Sequence, residues 1–131
     1  MQSGISETEL AVLKVLWDLE AATVREVQAV LHQQGRKWAY TTVQTLLNRL
    51  QSKGYTKSEK GGPAHVYRSV VTREELLRRR LGDLADEFCE GTASPLVLAL
   101  VEGGRFTPDE IRQFRELLDQ LASDRSRKKG V

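Results

Sequence analysis

The chain has 131 residues, 40% of them hydrophobic, with a single cysteine and a formal net charge of +2. That length holds one ordinary domain or two small ones, and one cysteine excludes a disulfide framework within the chain. The longest purely apolar run, residues 95–101, is far short of the ~20 residues that span a bilayer. No basic stretch leads into an apolar segment at the N-terminus, so the chain is expected in the cytoplasm, without membrane insertion.

Four helix starts are marked by capping boxes, each a Ser or Thr with Glu three residues later: Ser6 with Glu9, Thr23 with Glu26, Thr72 with Glu75, and Thr107 with Glu110. The first helix is expected over residues 7–19, with Leu10, Leu13 and Trp17 on its apolar face and Val12 and Leu16 beside it. The second covers 24–34, with Val24, Val27, Val30 and Leu31 as its stripe and Gly35 as its stop. The third covers 40–53, buries Val43, Leu46, Leu47 and Leu50, and ends at Gly54.

The period then changes. Residues 55–60 and 65–70 are short and rich in β-formers, and the four residues 61–64 between them read as a hairpin loop. A hairpin alone is marginal, so it must pack on the helices. A fourth helix follows from Thr72 to about residue 90, with Leu77, Leu81, Leu84 and Phe88 spaced by four, three and four residues. That spacing makes a partner-seeking seam. A short helix over 94–102 is apolar almost all round, and a last helix over 108–123 carries Ile111, Phe114, Leu117, Leu118 and Leu121 on one stripe. The domains read as 1–71, 72–124 and a basic flexible tail at 125–131.

Three short helices and a hairpin are the order of a winged helix-turn-helix, in which the third helix enters the major groove. The fold class is therefore mainly α with a small β-hairpin: a winged helix-turn-helix domain plus a C-terminal three-helix dimerisation region. Charge agrees with this. Residues 36–68 hold seven basic side chains against one acid, Glu59, whereas 72–124 hold seven basic and twelve acidic ones. Positive charge concentrated on one segment suits a phosphate-facing surface. The outer face of the third helix carries Tyr40, Thr41, Thr42, Gln44, Thr45, Asn48 and Arg49. Gln and Asn pair with adenine, Arg pairs with guanine, and a Thr methyl meets the thymine methyl. Lys53, Lys57, Lys60 and His65 add positive charge at the helix end and on the hairpin. The alternative on the same pattern is a winged-helix protein-interaction module without specific DNA binding.

Apolar surface in the second half exceeds what three isolated helices bury. Leu77, Leu81, Leu84, Phe88, Leu96, Leu100, Phe114 and Leu118 are the expected homodimer contacts. The triplet Arg78, Arg79, Arg80 reads as a solvated face pairing with Glu74, Glu75 and Asp83. No phosphate loop, nucleophile triad or paired-carboxylate motif supports an enzyme. Cys89, His32 and His65 make no closed metal site, no cofactor is expected, and Cys89 reads as an apolar helix residue.

The stretches WAYTTVQTLLNRLQSKGY, ETELAVLKVLW and HVYR, followed by VTREELLRRRL, LVLALVE and FTPDEIRQFRELLDQL, resemble the penicillinase-repressor family of BlaI, MecI and CopY repressors over nearly the whole chain. The resemblance implies a dimer that binds a palindromic operator in double-stranded DNA and blocks transcription. It implies that Thr41, Thr42, Gln44, Thr45 and Arg49 occupy base-reading and phosphate-contacting positions. In the β-lactam branch a membrane sensor protease system leads to cleavage at an Asn-Phe pair in the fifth helix. The aligned pair here is Ala99-Leu100, a departure from the pattern. The Cys-x-Cys metal cluster of the copper branch is absent from this sequence.

Overall fold

The computed structural model describes residues 4–129, with side chains through 127. The elements are α1 (Glu7–Leu19), α2 (Val24–Gln33), α3 (Tyr40–Ser52), β1 (Thr56–Gly61), β2 (Ala64–Ser69), α4 (Arg73–Cys89), α5 (Ser94–Glu102) and α6 (Pro108–Lys129). The capping boxes form at all four places read from the sequence: Ser6, Thr23, Thr72 and Thr107 each accept from the backbone N–H of the Glu three residues on, and each Glu reaches back to the cap's own N–H. At Glu110 these bonds from the Thr107 backbone and hydroxyl hold the carboxyl below its usual range.

Two compact units divide between Leu81 and Gly82, inside α4. The boundary therefore falls later than the expected break at residue 71. The reason is burial: Val71 and Leu76 are 7% and 6% exposed and belong to the core of the first unit.

That core is built by α1, α2 and α3. Val12, Leu13, Val15 and Leu16 of α1 meet Val27 and Leu31 of α2 and Val43, Leu46, Leu47 and Leu50 of α3. The third helix buries the four residues read from its periodicity. In α1 the stripe is rotated: Val15 is buried, whereas Leu10 and Trp17 only pack at its margin.

The hairpin is antiparallel, with Thr56 opposite Ser69 and Gly61 opposite Ala64. Because Gly61 and Ala64 pair, the loop is Gly62-Pro63, two residues rather than the four expected. Gly62 has φ +74° and the proline ring fixes the next φ near −65°, the sign pattern of a type II′ turn, whose twist matches the strands. The hairpin is tied to the helices by backbone as well as by packing. Ala22, between α1 and α2, exchanges bonds with Tyr67: Ala22 N–H donates to the Tyr67 carbonyl at 2.9 Å and Tyr67 N–H to the Ala22 carbonyl at 2.8 Å. The Trp17 indole N–H donates to the Val71 carbonyl at 2.9 Å and to Ser69 Oγ at 3.1 Å, which fixes the strand that leads into α4.

In the second unit α5 has no buried residue although it is apolar on every side. An open apolar trough between α5 and α6 is lined by Val97, Leu98, Leu118, Leu121 and Ala122. Phe106 and Phe114 meet edge to face, with ring centroids 4.9 Å apart. The last helix does not stop at residue 123 but continues to Lys129. No Pro or Gly interrupts residues 109–129. The flexible tail expected from residue 125 is thus helical through 129, and Gly130 and Val131 lie outside the described residues.

Candidate nucleic-acid interface

The site is α3 with the hairpin beside it. Four heptad-like apolar positions pull one side of α3 into the core and leave Tyr40, Thr41, Thr42, Gln44, Thr45, Asn48 and Arg49 exposed on the other. Unlike α1, α2, α4 and α6, this helix starts without a side-chain cap: Ala39 is the N-cap and no acid sits in the first turn. Its first N–H groups are therefore open to an anion, and the helix dipole favours one there.

Thr45 Oγ1 donates to the Thr41 carbonyl at 2.8 Å, so its methyl faces outward. Asn48 Oδ1 accepts from the Tyr67 hydroxyl at 3.0 Å. With its oxygen engaged, the Asn48 amide presents a donor rather than the donor–acceptor pair that reads adenine. Burial, with a smaller push from Tyr40, raises the Tyr67 hydroxyl above its usual pKa, so it stays a donor. Arg49 has no ion-pair or hydrogen-bond partner among the described residues and lines an open groove with Thr45, Asn48 and Ser52.

Lys53 is placed differently from its sequence assignment. Its ammonium sits 2.8 Å from Glu9 Oε1 and 3.1 Å from the Gly4 carbonyl. Glu9 is 1% exposed. Burial pushes its carboxyl up, but bonds from Lys53 and from Ser6 backbone and hydroxyl, with the Lys53 charge, outweigh that and hold it below its ordinary value. Lys53 is therefore committed to the fold. Arg36 is likewise spent on Glu7, at 3.4 Å, with its guanidinium over the Trp38 ring at 5.2 Å. Of the seven basic residues in 36–68, Lys37, Arg49, Lys57, Lys60 and Arg68 keep their charge unpaired among the described residues.

On the hairpin, Lys60 stands opposite His65 and Lys57 opposite Arg68. Alternation puts Lys60 and His65 on the face of Tyr67 and puts Lys57 and Arg68 on the other face. His65 joins Tyr40, Gln44 and Arg25 around a cleft of about 200 Å³. Arg25, in the first turn of α2, lays its guanidinium over the Tyr40 ring at 5.5 Å. The sequence reading missed it because Arg25 lies in an acidic stretch. The available signal was its place just after the Thr23 cap, at the turn that leads into a helix-turn-helix. The Arg triplet also departs from a plain solvated face, since Arg80 Nη1 donates to the Ile5 carbonyl at 3.2 Å. Among the described residues no group of three or more His, Cys, Asp or Glu comes together, and no helix is long and apolar enough to cross a membrane. Cys89 is half-buried at the end of α4.

The arrangement can do three things: accept phosphate at the open start of α3, present Arg49, Gln44 and Thr methyls to base edges, and flank both with cations. A family model described as penicillinase repressor matches residues 5–120. The penicillinase repressor of Bacillus licheniformis is 29% identical over 116 residues, covering 88% of this chain and 90% of the relative. A Mycobacterium tuberculosis protein named transcriptional regulator BlaI is 34% identical over 119 residues, covering 89% of this chain and 84% of the relative. Among solved structures, the solution structure of the DNA-binding domain of the repressor BlaI is similar at 32% identity and a TM-score of 0.50, covering 57% of this chain and 90% of that one.

Proposed function

The chain belongs to the penicillinase repressor family and is a DNA-binding transcriptional repressor; we propose that it acts as a homodimer that reads a palindromic operator through α3 and the hairpin wing. The observation that carries the reading is the uncapped, acid-free start of α3 set beside Arg25, Gln44 and His65, with Arg49 at an open groove farther along the same helix. Base contacts fall to Gln44, Thr45 and Arg49, and phosphate contacts to Tyr40, Thr41, Thr42, Lys57, Lys60 and Arg25. A two-fold dimer sets its two reading helices about 34–36 Å apart, one turn of DNA, or a multiple of it. The partner places the working site in the cytoplasm.

Dimerisation rests on the seam Leu77, Leu81, Leu84 and Phe88, which are 56%, 38%, 38% and 71% exposed in the single chain, and on the uncovered α5 and α6 faces. Exposed apolar surface on this scale marks a protein contact. Relief of repression is proposed to run through proteolysis in α5, served by a membrane sensor protease system. Ala99 and Leu100 are exposed there, and the Gly103-Gly104 break follows closely. A helix must open locally to enter a protease, and α5, which has no buried side chain in the single chain, opens cheaply when no partner covers it.

The test is binding of the purified chain to a labelled duplex of its own upstream region and to a scrambled duplex, at two salt concentrations, with stoichiometry from sedimentation. The expected result is tighter binding to the native duplex at both salts, two chains per site, and a log–log salt slope of about −0.9 per phosphate neutralised. Equal weak binding to both duplexes that vanishes at the higher salt would remove the specific-reader reading and favour a protein-interaction module.

A further inference from the structure

The first unit carries a recess of about 290 Å³ on the side of α1 that the DNA-reading surface does not use. Its floor and walls are apolar: Ile5, Leu10, Trp17, Leu76 and Leu77. Lys14, Arg73 and Arg80 complete the lining, mainly through their apolar stems, with their charges at the ends of those side chains. Among the described residues no acid lines it, and all its lining residues belong to the first unit. Lys14 and Arg73 have no ion-pair partner among the described residues, and Arg80 spends one N–H of its five on the Ile5 carbonyl. The recess is held open by fixed parts. The Trp17 ring is pinned by two bonds from its indole N–H, and the Arg73 guanidinium lies over that ring at 5.3 Å.

We propose that this recess binds a small organic anion with an apolar body and one carboxylate. A neutral hydrocarbon would fill the floor and leave the cations without a partner. A cationic ligand would be disfavoured by the like charges of Lys14, Arg73 and Arg80 nearby. A carboxylate on a flat apolar body lies against Leu10, Trp17 and Leu77 while its oxygens meet Lys14 or the fork of Arg73, the charge-assisted pairing that fixes orientation in a mainly apolar site. The volume sits at the small end of ligand pockets, which suits a fused two-ring acid and excludes a dinucleotide-sized molecule. Leu77 is both a wall of the recess and the first residue of the proposed dimer seam, so a ligand held between α1 and the first turns of α4 bears on the seam at that residue. That consequence rests on the repressor reading; the binding itself does not.

The test uses the full chain, isotopically labelled, with 2-naphthoate as the probe and 2-naphthamide and 2-naphthylmethylammonium as controls. The Trp17 indole N–H resonance reports the recess, and that of Trp38 serves as an internal reference. The expected result is a saturable shift at Trp17 with Trp38 unmoved, and binding roughly tenfold weaker for the amide, the loss of one charge-assisted bond. Lys14→Glu, which leaves the Arg73–Trp17 stack intact, weakens naphthoate by a similar factor, and Leu10→Trp, which fills the recess, abolishes the shift. No saturable Trp17 shift, equal affinity for acid and amide, shifts confined to α5 and α6, or binding only after dilution to monomer would each overturn the proposal. In the last case a second copy of the chain occupies the recess. Operator binding by the same variants without naphthoate is a separate readout, so failure of the recess and failure of the repressor reading are told apart.

Discussion

The hydroxyl of Tyr67 donates to Asn48 Oδ1 at 3.0 Å, which fastens the second strand of the hairpin to the outer face of α3. The same residue pairs through its backbone with Ala22, so one tyrosine joins the α1–α2 connection, the wing and α3. Tyr67→Phe removes only the hydroxyl. The expected cost is about 1 kcal/mol of stability, the net worth of a part-buried hydrogen bond. In urea the midpoint should fall with an unchanged slope, since the surface exposed on unfolding is the same.

Asn48 and Arg49 are neighbours with opposite expected roles. Asn48 is held by Tyr67, and Arg49 has no ion-pair partner among the described residues and lines the open groove. Arg49→Ala should weaken operator binding by ~1–3 kcal/mol and relax preference at one base pair in each half-site. Asn48→Ala should cost stability similar to Tyr67→Phe and leave base preference nearly unchanged. Binding to a set of operators changed one position at a time separates the two. If Asn48→Ala relaxed one position and Arg49→Ala relaxed none, the assignments would be exchanged.

The Glu9–Lys53 pair links the start of α1 to the end of α3, with Glu9 almost fully buried. Lys53→Met leaves a buried carboxylate without its cation and should cost ~3 kcal/mol. It should leave the salt slope of operator binding unchanged, because Lys53 is not counted among the phosphate contacts. Glu9 also sets an acid limb. Its folded pKa lies below its unfolded one, so its stabilisation is fully present above the unfolded value of about 4.3 and is lost as pH falls through the folded value. The parent's thermal midpoint should therefore fall as the pH drops below about 4, and that of Glu9→Gln should start lower and fall less. Parallel curves for the two proteins would mean that Glu9 does not set the acid limb.

What could be read from the sequence was local. The four capping boxes act over three residues, so Ser6, Thr23, Thr72 and Thr107 announced their helices directly. The exposed polar face of α3 followed from a clean apolar stripe on the other side. The hairpin loop was overcounted because Gly61 and Ala64 look like turn residues yet pair across the strands. Gly61 is there for another reason, since a side chain at that position would come within 3.2 Å of Val66 Cγ2. Charge was the poorest guide. Arg36 and Lys53 belong to the basic segment but are neutralised by Glu7 and Glu9, and the second pair is 44 residues apart in the chain. Pairing over that distance is a property of the packed helices and leaves no local mark. Helical period also cannot say which part of a stripe meets the core, and in α1 that is what left Leu10 and Trp17 to line a recess.

The apolar faces of the second unit give the test of assembly. Leu98 and Leu118 are 59% and 63% exposed on the two sides of the α5–α6 trough. Burying a leucine side chain is worth about 1.5–3 kcal/mol, and placing a carboxylate in its stead adds the cost of desolvating a charge. Leu118→Asp should therefore turn a sedimenting dimer into a monomer at micromolar concentration. The winged unit should keep its native spectrum, since its core is formed without α6. Operator affinity should fall by about 10²–10⁴, the loss expected when two linked half-site contacts become one. Affinity for an isolated half-site should stay the same, which distinguishes lost pairing from damage to the reading surface. A Leu118→Asp chain that still sediments as a dimer and binds the full operator normally would move the interface off α6 and onto the Leu77–Phe88 seam alone.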